Sequence, residues 1–138
     1  MSTQFFQFPK SAPRRWALIV LAAAFTWIGL HHFLAPDFYV SIMPPYLPWH
    51  LELVYLSGVF EMLGGLGLLW IRTRRVACWG LLALLVAVYP ANIHMLVNHE
   101  LYPDLPLWGL WLRMPVQFLI AAWVWYATRP DKETAATA

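Results

Sequence analysis

Cysteine is almost absent from this 138-residue chain, which has only Cys78. One thiol cannot close an internal disulfide, and no Cys-x-x-Cys occurs, so a thiol–disulfide relay within the chain is excluded. Charge is nearly as scarce: Asp, Glu, Lys and Arg make up 12% of residues, about half the share usual in a soluble domain. Residues 35–52 and 98–106 contain no lysine or arginine at all. The formal net charge of +2 is carried by cations grouped beside apolar runs, a pattern that describes membrane topology and gives no basis for a nucleic-acid partner.

Apolar residues fill the space that charge leaves. They make up 61% of the chain, which includes nine tryptophans, and mean hydropathy is +0.57. Four runs, residues 16–34, 53–71, 76–97 and 107–126, approach or exceed the roughly 17–25 residues that a spanning helix needs. The predicted fold class is therefore all-α, an integral membrane antiparallel four-helix bundle in one domain covering residues 1–138. Lys10, Arg14 and Arg15 before the first run give it the look of a signal peptide, with Ala22-Ala23-Ala24 as a cleavage site. Those alanines fall in mid-run and the run exceeds a signal core, so it reads as a retained span.

Lys10, Arg14 and Arg15 precede the first span, Arg72, Arg74 and Arg75 join the second to the third, and Arg129 and Lys132 follow the fourth. By the positive-inside rule both termini are cytoplasmic. Residues 127–138 read as a disordered cytoplasmic tail, and the first dozen residues as similar, with Phe5, Phe6 and Phe8 placed at the membrane surface. Arg72-Thr-Arg-Arg75 is short enough to force a helical hairpin. The outer linker, residues 35–52, holds Pro36, Pro44, Pro45 and Pro48 among aromatics. It is expected to be neither helix nor flexible tether but a cap across the outer mouth.

Glu61 is the only charge in the second run, where a carboxylate costs about 2.5–3.5 kcal/mol at the centre of a spanning helix. On that helix Ser57, Gly58, Gly64 and Gly65 share its face, a small-residue surface suited to helix packing. The fourth run offers Arg113 and Gln117 at a four-residue spacing, and the third offers Tyr89 and Asn92 beside Pro90, whose ring frees the carbonyl of Val86. The first run ends in His31 and His32. At about 1.5 Å of rise per residue these groups all fall in the outer half of the spans. Arg113 is the expected ion-pair partner of Glu61. The pair has two readings: it fixes helix register, or with Asn92, Gln117, Tyr89 and His32 it lines an outward-opening pocket. His31, His32, His50, Glu52 and His99 supply metal-ligand types on one side of the spans, but no pair shows a ligand spacing, so the sequence gives no metal site. His94 and His99 read as interfacial hydrogen-bonding groups. Trp49, Trp108, Trp111, Trp123 and Trp125 fall where interfacial belts lie.

The chain resembles short members of the DoxX family of bacterial four-span membrane proteins. The resemblance is carried by Gly29-x-x-His32-Phe33-x-x-Pro36, Met43-Pro44-Pro45-Tyr46-Leu47-Pro48, Leu53-Val-Tyr-Leu-Ser-Gly-Val-Phe-Glu61-Met-Leu-Gly-Gly65, Tyr89-Pro90-Ala91-Asn92 and Arg113-x-Pro115-x-Gln117. It implies a location in the bacterial cytoplasmic (inner) membrane and an association with quinone-linked or thiol redox assemblies. It does not extend to thiosulfate oxidation, because paired cysteines are missing. Two functional classes follow. In one, the chain is a non-catalytic subunit or scaffold of a membrane complex, partnered by the bilayer and by other subunits. In the other, it is a redox-associated subunit holding a quinone or small anion against Arg113, Gln117 and Asn92, with Glu61 and His32 relaying protons.

Overall fold

The computed structural model describes residues 7–130. Within them the chain is all-helical, with no strand. Its α-helices are α1 (Ala12–Leu34), α2 (Pro36–Ser41), α3 (His50–Gly67), α4 (Arg74–Val97) and α5 (Leu107–Thr128), and a 3-10 turn, His99–Leu101, follows α4. Helices α1, α4 and α5 are long and apolar enough to cross a membrane. The second apolar run departs from expectation, because its helix starts earlier, with His50 and with Glu52 in its first turn, and stops at Gly67. Residues 68–71 form turns instead.

Local chemistry explains these limits. Pro36 opens α2 in the first-turn position, where its missing N–H is not needed. The same proline disfavours helix at Ala35 and so ends α1, whose last turn closes with Ala35 N–H donating to the carbonyl of His31. Residues 35–52 therefore contain a helix, against the expectation of none; Pro36 initiates it and Asp37 lies in its first turn. At the end of α3, Arg74 is buried and donates from Nε to the carbonyl of Leu68 at 2.9 Å. A guanidinium thus serves carbonyls that a helix end leaves without intrahelical donors. Arg74, expected only to set topology, is a structural cap. The tail from Asp131 onward and Phe5 and Phe6 lie outside the described residues, while residues 127–128, expected in that tail, complete α5.

Helix α1 packs on α3, α3 on α4, α4 on α5, and α5 back on α1, so α3 and α5 stand diagonally; α2 rests on α1 and α3. Two apolar clusters hold this ring. One joins Leu18, Leu21 and Phe25 of α1 to Leu68, to Cys78 and Leu81 of α4, and to Val124 of α5. The other, at the opposite end, joins Met95, Tyr102 and Leu110. Along the helices, the polar residues singled out in the spans fall between the two.

The approach of α1 to α3 is set by two glycines. A Cβ on Gly29 would lie 2.6 Å from the carbonyl oxygen of Gly58, and one on Gly58 would lie 2.8 Å from the carbonyl oxygen of Gly29. Both contacts are with backbone, which cannot rotate away. Gly58→Ala should therefore lower unfolding stability in detergent by about 1–3 kcal/mol, the usual cost of overpacking. At Gly80 an added Cβ meets nothing within 4 Å, so Gly80→Ala should be neutral or slightly stabilising. Equal melting temperatures for the Gly58→Ala and unsubstituted proteins would contradict this account of the contact.

Candidate functional site

The polar side chains of the helices form separate groups. In the first, His32 is buried at the end of α1 and its Nδ1 stands 3.2 Å from Oε2 of Glu61 on α3. The same nitrogen lies 2.9 Å from the carbonyl oxygen of Ile28. Both neighbours are acceptors, so the hydrogen-bond network assigns the proton to Nδ1. The N–H is directed to Ile28, and Oε2 of Glu61 is left buried without an aligned hydrogen bond. Its contact with His32 has the distance of an ion pair but not the angle of a hydrogen bond, so its worth is electrostatic.

Tyr39 of α2 completes this group. Its ring stacks on His32 at 3.7 Å between centroids with 18° between planes, and its hydroxyl lies 3.1 Å from Nδ1 of His31. Burial, and after it the charge of Glu61, pushes the Tyr39 phenol above its ordinary value. Sequence reasoning did not select Tyr39, because the linker was read as irregular. The signal was Pro36: a helix starting there turns the chain back over the end of α1 and carries Tyr39 onto the two histidines.

The second group joins α4 to α5. Asn92 Nδ2 donates to Oε1 of Gln117 at 2.6 Å, and Gln117 Nε2 donates to the carbonyl of Leu85. Gln117 is buried. Pro90 within α4 was expected to expose the carbonyl of Val86; the carbonyl that Gln117 engages is that of Leu85, one residue earlier. A proline disturbs the turn before it, and that turn includes both carbonyls. Tyr89 takes no part and packs edge-on against Phe118 at 5.3 Å.

Arg113 does not pair with Glu61. Its Nη1 reaches Sδ of Met95 at 3.8 Å, a weak acceptor, while the side chain beside Glu61 is the imidazole of His32. The physical reason is the helix arrangement: Arg113 is on α5 and Glu61 on α3, the diagonal pair of the ring. The small residues on the face of Glu61 are also divided. Gly58 meets α1 and Gly64 meets Leu81 of α4, Gly65 meets Thr26 and Ala22 of α1, and Ser57 donates to the carbonyl of Val54 in its own helix.

Among the described residues no three His, Cys, Asp or Glu side chains converge in a way that could hold a metal ion. His50 lies 3.1 Å from the carbonyl of Pro44, and His94 lies 3.3 Å from the hydroxyl of Tyr102. Two cavities are formed elsewhere. One is an apolar groove between α1 and the end of α3, and the other is at the arginine-bearing end. Neither is lined by Glu61, Arg113, Gln117, Asn92, His32 or Tyr89.

Residues 21–128 match the family described as a domain of unknown function, DUF8561. This overturns the resemblance to DoxX, whose motifs are short and rich in the glycine, proline and aromatic residues common to membrane helices. The quinone association that the resemblance implied is left without support. No curated protein and no solved structure matches the chain. The chain belongs to the DUF8561 family.

Proposed function

We propose that this chain is an antiparallel four-helix membrane bundle with both termini cytoplasmic, and that it acts as a non-catalytic subunit or scaffold of a complex in the cytoplasmic membrane. Three helices of spanning length and composition support the membrane placement. The ring in which α3 closes the contact between α1 and α4 supports its being the fourth member. The grouping of Lys and Arg at one end supports the orientation.

The observation that carries the functional reading is the chain of bonds from Asn92 through Gln117 to the carbonyl of Leu85. Both amides are engaged with the protein itself. In an apolar medium such bonds hold two helices in register and leave little reason for a ligand to replace them. The small-anion or quinone alternative needed those two amides together with Arg113, which is not beside Glu61. Helix packing accounts for the polar groups with no occupant.

Two measurements follow. Gln117→Leu strands the half-buried amide of Asn92 and should cost about 0.6–1.7 kcal/mol, the range for interhelical hydrogen bonds in bilayers. The Asn92→Leu/Gln117→Leu double variant should cost less than the two single changes together, because both partners are then gone. In the second measurement, the tagged chain extracted in mild detergent should migrate on a native gel as part of an assembly larger than its own 16.0 kDa in a micelle. Migration as the lone chain would overturn the subunit reading. A quinone retained at one per chain and lost on Gln117→Leu would overturn the packing reading.

A further inference from the structure

The cavity at the arginine-bearing end has a volume of about 450 Å³, and its lining includes Arg14, Arg74, Arg75 and Arg129 and, among the described residues, no carboxylate. These cations come from three separate segments: the first turn of α1, the start of α4, and the residue that follows α5. The charge preference of membrane topology places cations at this end of a bundle, but it does not require that they surround one cavity. Arg74 is occupied with the carbonyls at the end of α3 and with that of Gln7, so it forms a fixed charged wall. Arg75 and Arg129 are exposed, and Arg129 is steadied over the ring of Tyr126 at 5.2 Å. The remaining wall is aromatic, with Trp79 and Trp125 packed edge to face at 5.6 Å and lining the cavity beside Thr128.

The lining is thus divided between guanidinium groups, whose planar forks match phosphate oxygens, and indole rings of the kind that settle at headgroup level. A ligand that satisfies both has a phosphate and an apolar body. We propose that this cavity is a binding site for an anionic phospholipid, with Arg75 and Arg129 on the headgroup phosphate and Trp79 and Trp125 against the glycerol and upper acyl chains. Basic pockets between helices on the cytoplasmic side are a known physical solution to holding such headgroups. The site rests on the membrane placement proposed above and is independent of the subunit role.

The test uses the full chain in neutral detergent, with recovery from the membrane fraction measured first so that failure of insertion is seen separately. Native mass spectrometry then follows titration with dioctanoyl phosphatidylglycerol, dioctanoyl phosphatidylcholine or inorganic phosphate. The expected result is tighter binding of phosphatidylglycerol than of phosphatidylcholine, with little competition from inorganic phosphate. Arg75→Gln/Arg129→Gln should weaken phosphatidylglycerol binding about 25-fold, from roughly fivefold per arginine. Arg15→Gln/Arg72→Gln makes the same change in net charge at positions that do not line the cavity, and binding should stay within about twofold. Equal losses in the two pairs would show a diffuse surface charge and overturn the site. Equal binding of the two lipids would do the same. Competition by inorganic phosphate at the concentration of the lipid would overturn the lipid as the source of the phosphate.

Discussion

The backbone contact between Gly29 of α1 and Gly58 of α3 is the constraint on which the rest of this end of the helix ring depends. With Cβ atoms absent, each carbonyl comes within a distance that an added methyl group could not tolerate. That spacing sets His32 and Glu61, each three residues beyond its glycine, close enough for a 3.2 Å contact. The same approach gives α2 a surface on which to fold, and α2 brings Tyr39 to stack on His32. A carboxylate in an apolar helix is thereby given an imidazole neighbour that is itself covered by an aromatic ring, in place of the arginine that its charge first suggests.

Polar groups in this protein are handled in pairs between two apolar clusters. Glu61 belongs to the contact of α1 with α3, and Asn92 with Gln117 belongs to the contact of α4 with α5. Each pair links one defined position on each of two helices. Gln117 engages the carbonyl of Leu85 in the turn that Pro90 disturbs, so a polar side chain is placed at a helix irregularity. At the opposite end Arg74 does the same for the end of α3. The arginines around it are then organised enough to form a cavity wall and not a loose halo of charge.

That α1, α4 and α5 are long and apolar enough to cross a membrane was legible in the sequence, because length and apolar content depend on sequence alone. The limits of α3 were less so: hydropathy favoured residues 53–71, whereas the glycines near its end and the cap from Arg74 stop the helix at Gly67. Among the candidate residues, Asn92 and Gln117 do meet, and it was their grouping by depth along the spans that brought them together in the sequence. The partner of Glu61 was misread for a geometric reason. Counting residues from the membrane surface places Arg113 and Glu61 at similar depth, but depth says nothing about position around the ring, and α3 and α5 are diagonal. The family match, likewise, was hidden by short motifs that many membrane helices share.

The central claim, that Glu61 is tied to His32 and not to Arg113, is tested most directly by two double-mutant cycles in unfolding free energy. One combines Glu61→Met with His32→Leu, and the other combines Glu61→Met with Arg113→Leu. Contacting pairs couple by roughly 0.5–3 kcal/mol, and separated pairs add to within about 0.3–0.5 kcal/mol. The account predicts coupling in the first range for His32 and additivity for Arg113. Stronger coupling to Arg113 than to His32 would contradict it.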